Sequence, residues 1–154
     1  MKLKYIVFIT LIAAVVMSMV AIGFANRRPS GSSDTLKLEF AALVANPAEY
    51  NQKSIILDAF IFLGFETNVL CESLELSGMA PEYLIPRGAL IWIEGSIPPQ
   101  VYESLYVQQA KGPVERFGKV RVNGGFHYGG QYGHLGGYNL QFVPSKLALL
   151  VWSP

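Results

Sequence analysis

Residues 54–64 read Ser-Ile-Ile-Leu-Asp-Ala-Phe-Ile-Phe-Leu-Gly, and residues 118–126 read Gly-Lys-Val-Arg-Val-Asn-Gly-Gly-Phe. Successive side chains of a strand point to opposite faces. The first stretch therefore places Ile55, Leu57, Ala59 and Ile61 on one face, and the second places Val120, Val122, Gly124 and Phe126 on one face. Both run apolar, apolar, small, apolar, and each follows a turn and a lysine, at Gln52-Lys53 and Gly118-Lys119. A small residue inside a strand lets a sheet bend sharply, as closing a barrel requires. Ile56, Phe60 and Phe62 make the other face of the first strand partly apolar, so that face is expected to be covered.

Working outward, Thr67–Ser73 reads as a second, shorter strand across a tight connection at Gly64. Residues 74–88 carry Gly78, Pro81 and Pro86 and read as a long loop. Residues 89–94 form a third strand. Pro98-Pro99 opens a helix, where a missing N–H costs nothing. Its apolar stripe is Val101, Tyr102, Leu105 and Tyr106, and Gly112-Pro113 stops it. Residues 118–126 are the fourth strand, and 138–152 hold a fifth, with Pro144 a candidate break. Upstream, residues 35–46 read as a short extended piece turning into a short helix. Asn46-Pro47 ends that helix, because a residue before proline avoids helical geometry. The expected fold class is mainly β. Three strands, a helix and two strands is the order of an OB-fold, a five-stranded Greek-key barrel with a helix between strands 3 and 4.

The barrel domain is expected over residues 35–154. Ahead of it, Met1-Lys2-Leu3-Lys4 is basic, and residues 5–25 carry neither charge nor proline. Gly23-Phe24-Ala25 supplies small residues where a signal peptidase cuts, which is the layout of a signal peptide. As a helix the run would reach about 30 Å, the thickness of a bilayer's hydrocarbon core. Residues 1–25 thus read either as a cleaved signal or as a membrane anchor with the domain outside. Residues 26–34, Asn-Arg-Arg-Pro-Ser-Gly-Ser-Ser-Asp, read as a linker. The expected location is extracytoplasmic. The domain is anchored through residues 5–25, or periplasmic or secreted after cleavage near Ala25.

Composition excludes several functions. The 154 residues carry 12 basic and 11 acidic side chains, and setting aside Lys2 and Lys4 leaves 10 against 11. Apart from Arg27-Arg28 the cations are scattered, so no nucleic-acid partner is expected. One cysteine, Cys71, forbids an intramolecular disulfide and a cysteine-based zinc cage. No Gly-Lys-Ser/Thr phosphate loop and no Gly-x-Ser-x-Gly elbow occurs. Neither a cofactor nor a catalytic residue is assigned.

Asn46-Pro47-Ala48-Glu49-Tyr50, Lys53 with the strand from Ile55 to Ile61, Gly64-Phe65-Glu66 and Leu70-Cys71-Glu72-Ser73 form one group of motifs. Val122-Asn123-Gly124-Gly125-Phe126-His127 and Gly133-His134-Leu135-Gly136-Gly137-Tyr138 form another. Together they resemble small exported bacterial proteins with an OB-like domain and no settled function, over roughly residues 38–150. Gln52 stands where their pattern has glycine, and Cys71 where it has tyrosine. The resemblance implies the fold and supplies no activity.

Residues 126–138, Phe-His-Tyr-Gly-Gly-Gln-Tyr-Gly-His-Leu-Gly-Gly-Tyr, contain both histidines, three of the eight tyrosines and five of the 15 glycines. The segment reads as the loop between strands 4 and 5, which helps bind ligands in OB-folds. Glycines allow close approach, and tyrosines offer flat faces and hydroxyls. His127, Tyr128, Tyr132, His134 and Tyr138 are therefore the candidate contact residues. A plainer reading has the same tyrosines covering one end of the barrel. His127 and His134 are a candidate metal pair, but two histidines are too few without Glu66, Glu72 or Glu94. Trp92 reads as packing, and Glu72 and Glu75 as solvated.

Three functions follow. The leading one is a non-enzymatic envelope module binding a small molecule or an unknown protein partner through that loop. The second is a metal-dependent envelope enzyme using His127 and His134. The third is a structural accessory subunit of a membrane complex.

Overall fold

The computed structural model describes residues 35–78, 80–109 and 112–154. The expected targeting segment (1–25) and linker (26–34) lie outside the described residues. Among the described residues no helix is long and apolar enough to cross a membrane. The fold is mainly β.

The elements run β1 (Leu36–Leu38), α1 (Phe40–Ala45), α2 (Pro47–Tyr50), β2 (Ser54–Leu63), β3 (Asn68–Cys71), β4 (Ser73–Leu76), β5 (Leu84–Arg87), β6 (Ile91–Ile93), α3 (Pro99–Ser104), β7 (Tyr106–Gln108), β8 (Glu115–Tyr132), a 3-10 turn (His134–Gly136) and β9 (Tyr138–Leu149). The two stretches with matching patterns lie in β2 and β8, which pair antiparallel. Ile55 faces Gly124, Leu57 faces Val122, Ala59 faces Val120 and Ile61 faces Gly118. Ile55, Leu57, Ala59, Ile61, Val120 and Val122 are all buried. Burying a Val, Leu or Ile side chain fully is worth about 1.5–3 kcal/mol, so this rung-by-rung match holds the register.

The main sheet runs β1-β2-β3-β6-β9-β8-β7, and the β2–β8 pairing joins it into a closed ring of β2, β3, β6, β9 and β8. Within the ring β6 and β9 are parallel, while β2–β3, β3–β6, β8–β9 and β2–β8 are antiparallel. Closure bends β8 at Gly124. A Cβ there would overlap the Val143 carbonyl and stand 2.8 Å from the Pro144 Cα, so only glycine fits. The β8–β9 register shifts at the same place. Pro144 therefore does not break the last strand. The chain bulges at Ser145, whose hydroxyl donates to the Asn123 carbonyl at 2.9 Å, and β9 continues to Leu149.

Several readings of the sequence need correction. The expected loop over 74–88 is largely a hairpin, with Leu74 opposite Pro86 and Leu76 opposite Leu84. Tyr106, assigned to a helix stripe, begins β7, because α3 ends at Ser104. Pro47 ends α1 as expected but also opens α2. Most of the expected loop over 126–138 is strand, since β8 reaches Tyr132 and β9 starts at Tyr138.

Two apolar clusters result. The larger fills the ring with Ile55, Leu57, Ile61, Leu70, Ile91, Val122, Phe126 and Phe142, joined by Phe40 and Leu43 of α1 and Val101 of α3. The second gathers Phe62, Val69, Leu84 and Phe117 with Leu74, Trp92, Tyr138 and Trp152. It covers only the Phe62 end of the second face of β2 and leaves Ile56 and Asp58 outside it. Trp152, past β9, meets Phe60 edge-on with ring centres 5.0 Å apart.

Candidate functional site

The β8–β9 hairpin presents the sequence-predicted residues on successive rungs. His127 faces Gln141, Tyr128 faces Leu140 and Tyr132 faces Tyr138. Between the last two rungs β8 spends two residues more than β9, and this bulge takes up Gly129, Gly130 and Gln131. Gly133 then turns the chain at φ 69°, and a Cβ on it would lie 2.5 Å from the Trp92 ring and 2.7 Å from the Tyr138 ring. The backbone is thus laid directly on two aromatic rings whose centres are 5.3 Å apart. Glycine at 133 provides both the backbone angle and the clearance.

Trp92 is held by its edge. Its indole N–H donates to Glu94 Oε2 at 2.9 Å, and the Gln141 amide donates to the same oxygen at 3.4 Å. Across the apex, the Gly64 N–H donates to the Thr67 carbonyl at 2.6 Å and closes a tight β2–β3 connection with Phe65 and Glu66 at its tip. Glu66 Oε1 lies 3.5 Å from His134 Nε2, tying the two connections together when His134 is protonated. The residues next to this pair are apolar and unburied: Phe65 is 79% exposed and Leu135 is 92% exposed. Leu135 also holds φ 52°, a left-handed conformation unusual for a residue with a Cβ.

The structure brings Tyr132 opposite Tyr138, Tyr138 against Trp92, and His134 to Glu66. It does not group all five candidates. His127 pairs with Gln141, three residue steps along β9 from Tyr138, or about 10 Å at the usual strand rise. Tyr128 shares its rung with buried Leu140, and its backbone N–H is held by the Asn51 side chain at 2.9 Å. Among the described residues no group of three or more His, Cys, Asp or Glu is placed to hold a metal. Phe65 and Leu135 were not among the candidates; Glu66 and Glu94 had been named only as possible partners of the histidines, and Trp92 as packing, which its place against Tyr138 bears out. Phe65-Glu66 beside the Gly64 turn was the available signal.

Cys71 is buried, and its thiol donates to the Ser73 carbonyl at 3.2 Å. Burial pushes its pKa up to about 12. A thiol so protonated is no nucleophile at neutral pH.

A cavity of about 660 Å³ lies elsewhere, between the β4–β5 hairpin and β7, walled by Leu76, Pro81, Tyr83, Tyr106, Gln108 and Phe117. Behind it Tyr83 donates its hydroxyl to Glu115 at 2.6 Å, and Gln108 donates to the same carboxylate oxygen at 2.9 Å. The Glu115 bond and partial burial push the Tyr83 phenol up to about 12. The Gln108 carboxamide also bonds both the N–H and the carbonyl of Leu84, standing in for a neighbouring strand.

No family model matches the chain, no curated protein matches it, and no solved structure matches it.

Proposed function

We propose that this chain is a non-enzymatic, exported OB-like module that binds a protein partner through the apex formed by the β8–β9 hairpin and the β2–β3 connection. Support for the OB-like reading comes from the ring order β2-β3-β6-β9-β8, the parallel β6–β9 pair and the helix α3 between β6 and β8. The hydrophobic N-terminal sequence supports export.

One observation carries the binding reading. Two connections, bridged by His134 and Glu66, expose Phe65 and Leu135 side by side in sequence with that bridge. Side chains this exposed stand proud of the surface and cannot line a pocket, which favours a protein surface over a small molecule. Leu135 keeps an apolar side chain in water on a costly backbone conformation, which a purely structural turn would not require. Trp92 and Tyr138, packed against Gly133 two residues before Leu135, give a rigid aromatic base of the kind that anchors interfaces.

The test is comparative co-purification of the full chain and a Phe65→Ser/Leu135→Ser variant from detergent-solubilised membranes of the native cell. One protein recovered in stoichiometric amount with the parent and lost from the variant is expected. The same companions with both chains would overturn the reading.

A further inference from the structure

Charge is segregated on this domain. On one face of β1, β2, β8 and β9, Lys37 stands beside Ile56, Asp58 faces Arg121, Phe60 faces Lys119 and Asn123 faces Lys146. Four cations thus share a face with two acids, Asp58 and Glu115. Asp58 is committed to Arg121 by two hydrogen bonds of 2.6 and 2.7 Å, and Glu115, at the start of β8, accepts from Tyr83 and Gln108. Lys37 and Lys119 lie near enough to Asp58 to help hold its carboxyl below the usual range, after the dominant Arg121 bond. Lys119 crosses the face over the Phe60 ring, 5.7 Å from its centre. Glu39 stands at the margin, where β1 gives way to α1. The acids Glu66, Glu72, Glu75, Glu82, Glu94 and Glu103 sit on other elements. A chain of formal charge +1 therefore owns one distinctly cationic face.

We infer that this face lies against anionic lipid headgroups. The inference rests on reading residues 5–25 as a membrane anchor, and two observations then select the partner. The first is charge complementarity: surplus lysines on a sheet face match a plane of anionic phosphates. The second is chain length. Lys37 follows Ala25 by only 12 residues, which span at most about 40 Å when extended. A short tether raises the effective concentration of the face at the surface, so modest individual contacts suffice.

The test reconstitutes the full chain into vesicles of phosphatidylcholine alone or mixed with phosphatidylglycerol. Alkaline carbonate extraction comes first, then amine acetylation read residue by residue by mass spectrometry. Labelling of Lys37, Lys119 and Lys146 should slow several-fold in the anionic vesicles only, recover in high salt, and leave Lys53 unchanged as the reference. Equal labelling in both vesicles, with the chain retained, would remove the face and leave the anchor standing. Release by carbonate would remove the anchor and the inference with it. Protection by soluble polyphosphate without anionic lipid would assign the face to a soluble polyanion and overturn the lipid partner.

Discussion

Gln52 holds φ 63° between the α2 turn and β2. Its N–H donates to the Phe126 carbonyl at 2.8 Å, so sheet pairing fixes a backbone that costs a residue with a Cβ about 1–2 kcal/mol. Gln52→Gly should raise stability by about 0.5–1 kcal/mol in urea unfolding, after the entropy glycine gives to the unfolded chain. Gln52→Ala should gain nothing. The glycine of the resembling pattern made this position legible as special, although not its angle. Cys71 gives a pH prediction. A thiol raised from 9.0 to about 12 keeps its proton in the folded state, while the unfolded chain loses it from about pH 9 upward. Stability should therefore fall as pH rises from 9 towards 12, by about 1.4 kcal/mol per pH unit from this group. Cys71→Val should flatten that slope, and an unchanged slope would show that other groups set it.

At the level of elements, what could be read in the sequence was what local periodicity encodes. The alternation in β2 and β8 named the buried faces correctly, because residues 54–61 and 118–127 are each buried on a two-residue period. The β4–β5 hairpin was invisible, since its strands are four residues each, β5 contains Pro86, and Gly78 and Pro81 lie between them. Residues 126–138 looked like loop because glycine is rare in strands, yet the glycines serve a bulge and an approach to aromatic rings. The approach can be tested at Gly133. Gly133→Ala would push a Cβ into Trp92 and Tyr138 on a backbone at φ 69°. It should cost about 1–3 kcal/mol and shift the Trp92 fluorescence. Gly136→Ala, with its nearest atom 3.2 Å away on the side chain of Gln131, is the milder control for a positive backbone angle. Similar losses in both variants would deny Gly133 its place against the rings.

Over the whole molecule, a closed ring leaves few free strand edges, so new contacts fall to its ends and its outer faces. The sequence singled out one such end, the hairpin that carries both histidines. It could not foresee that residues 65–66 of a distant connection meet it, because that meeting depends on ring closure. The central claim is that this end is where a partner docks. The most direct measurement places a photo-crosslinking amino acid at Leu135 of the full chain in its native cell, with Leu76 on the β4–β5 hairpin as the exposed apolar control. A single discrete adduct at Leu135, weakened by Glu66→Lys and absent at Leu76, is the predicted result. No adduct at Leu135, or the same adducts from both positions, would contradict the claim.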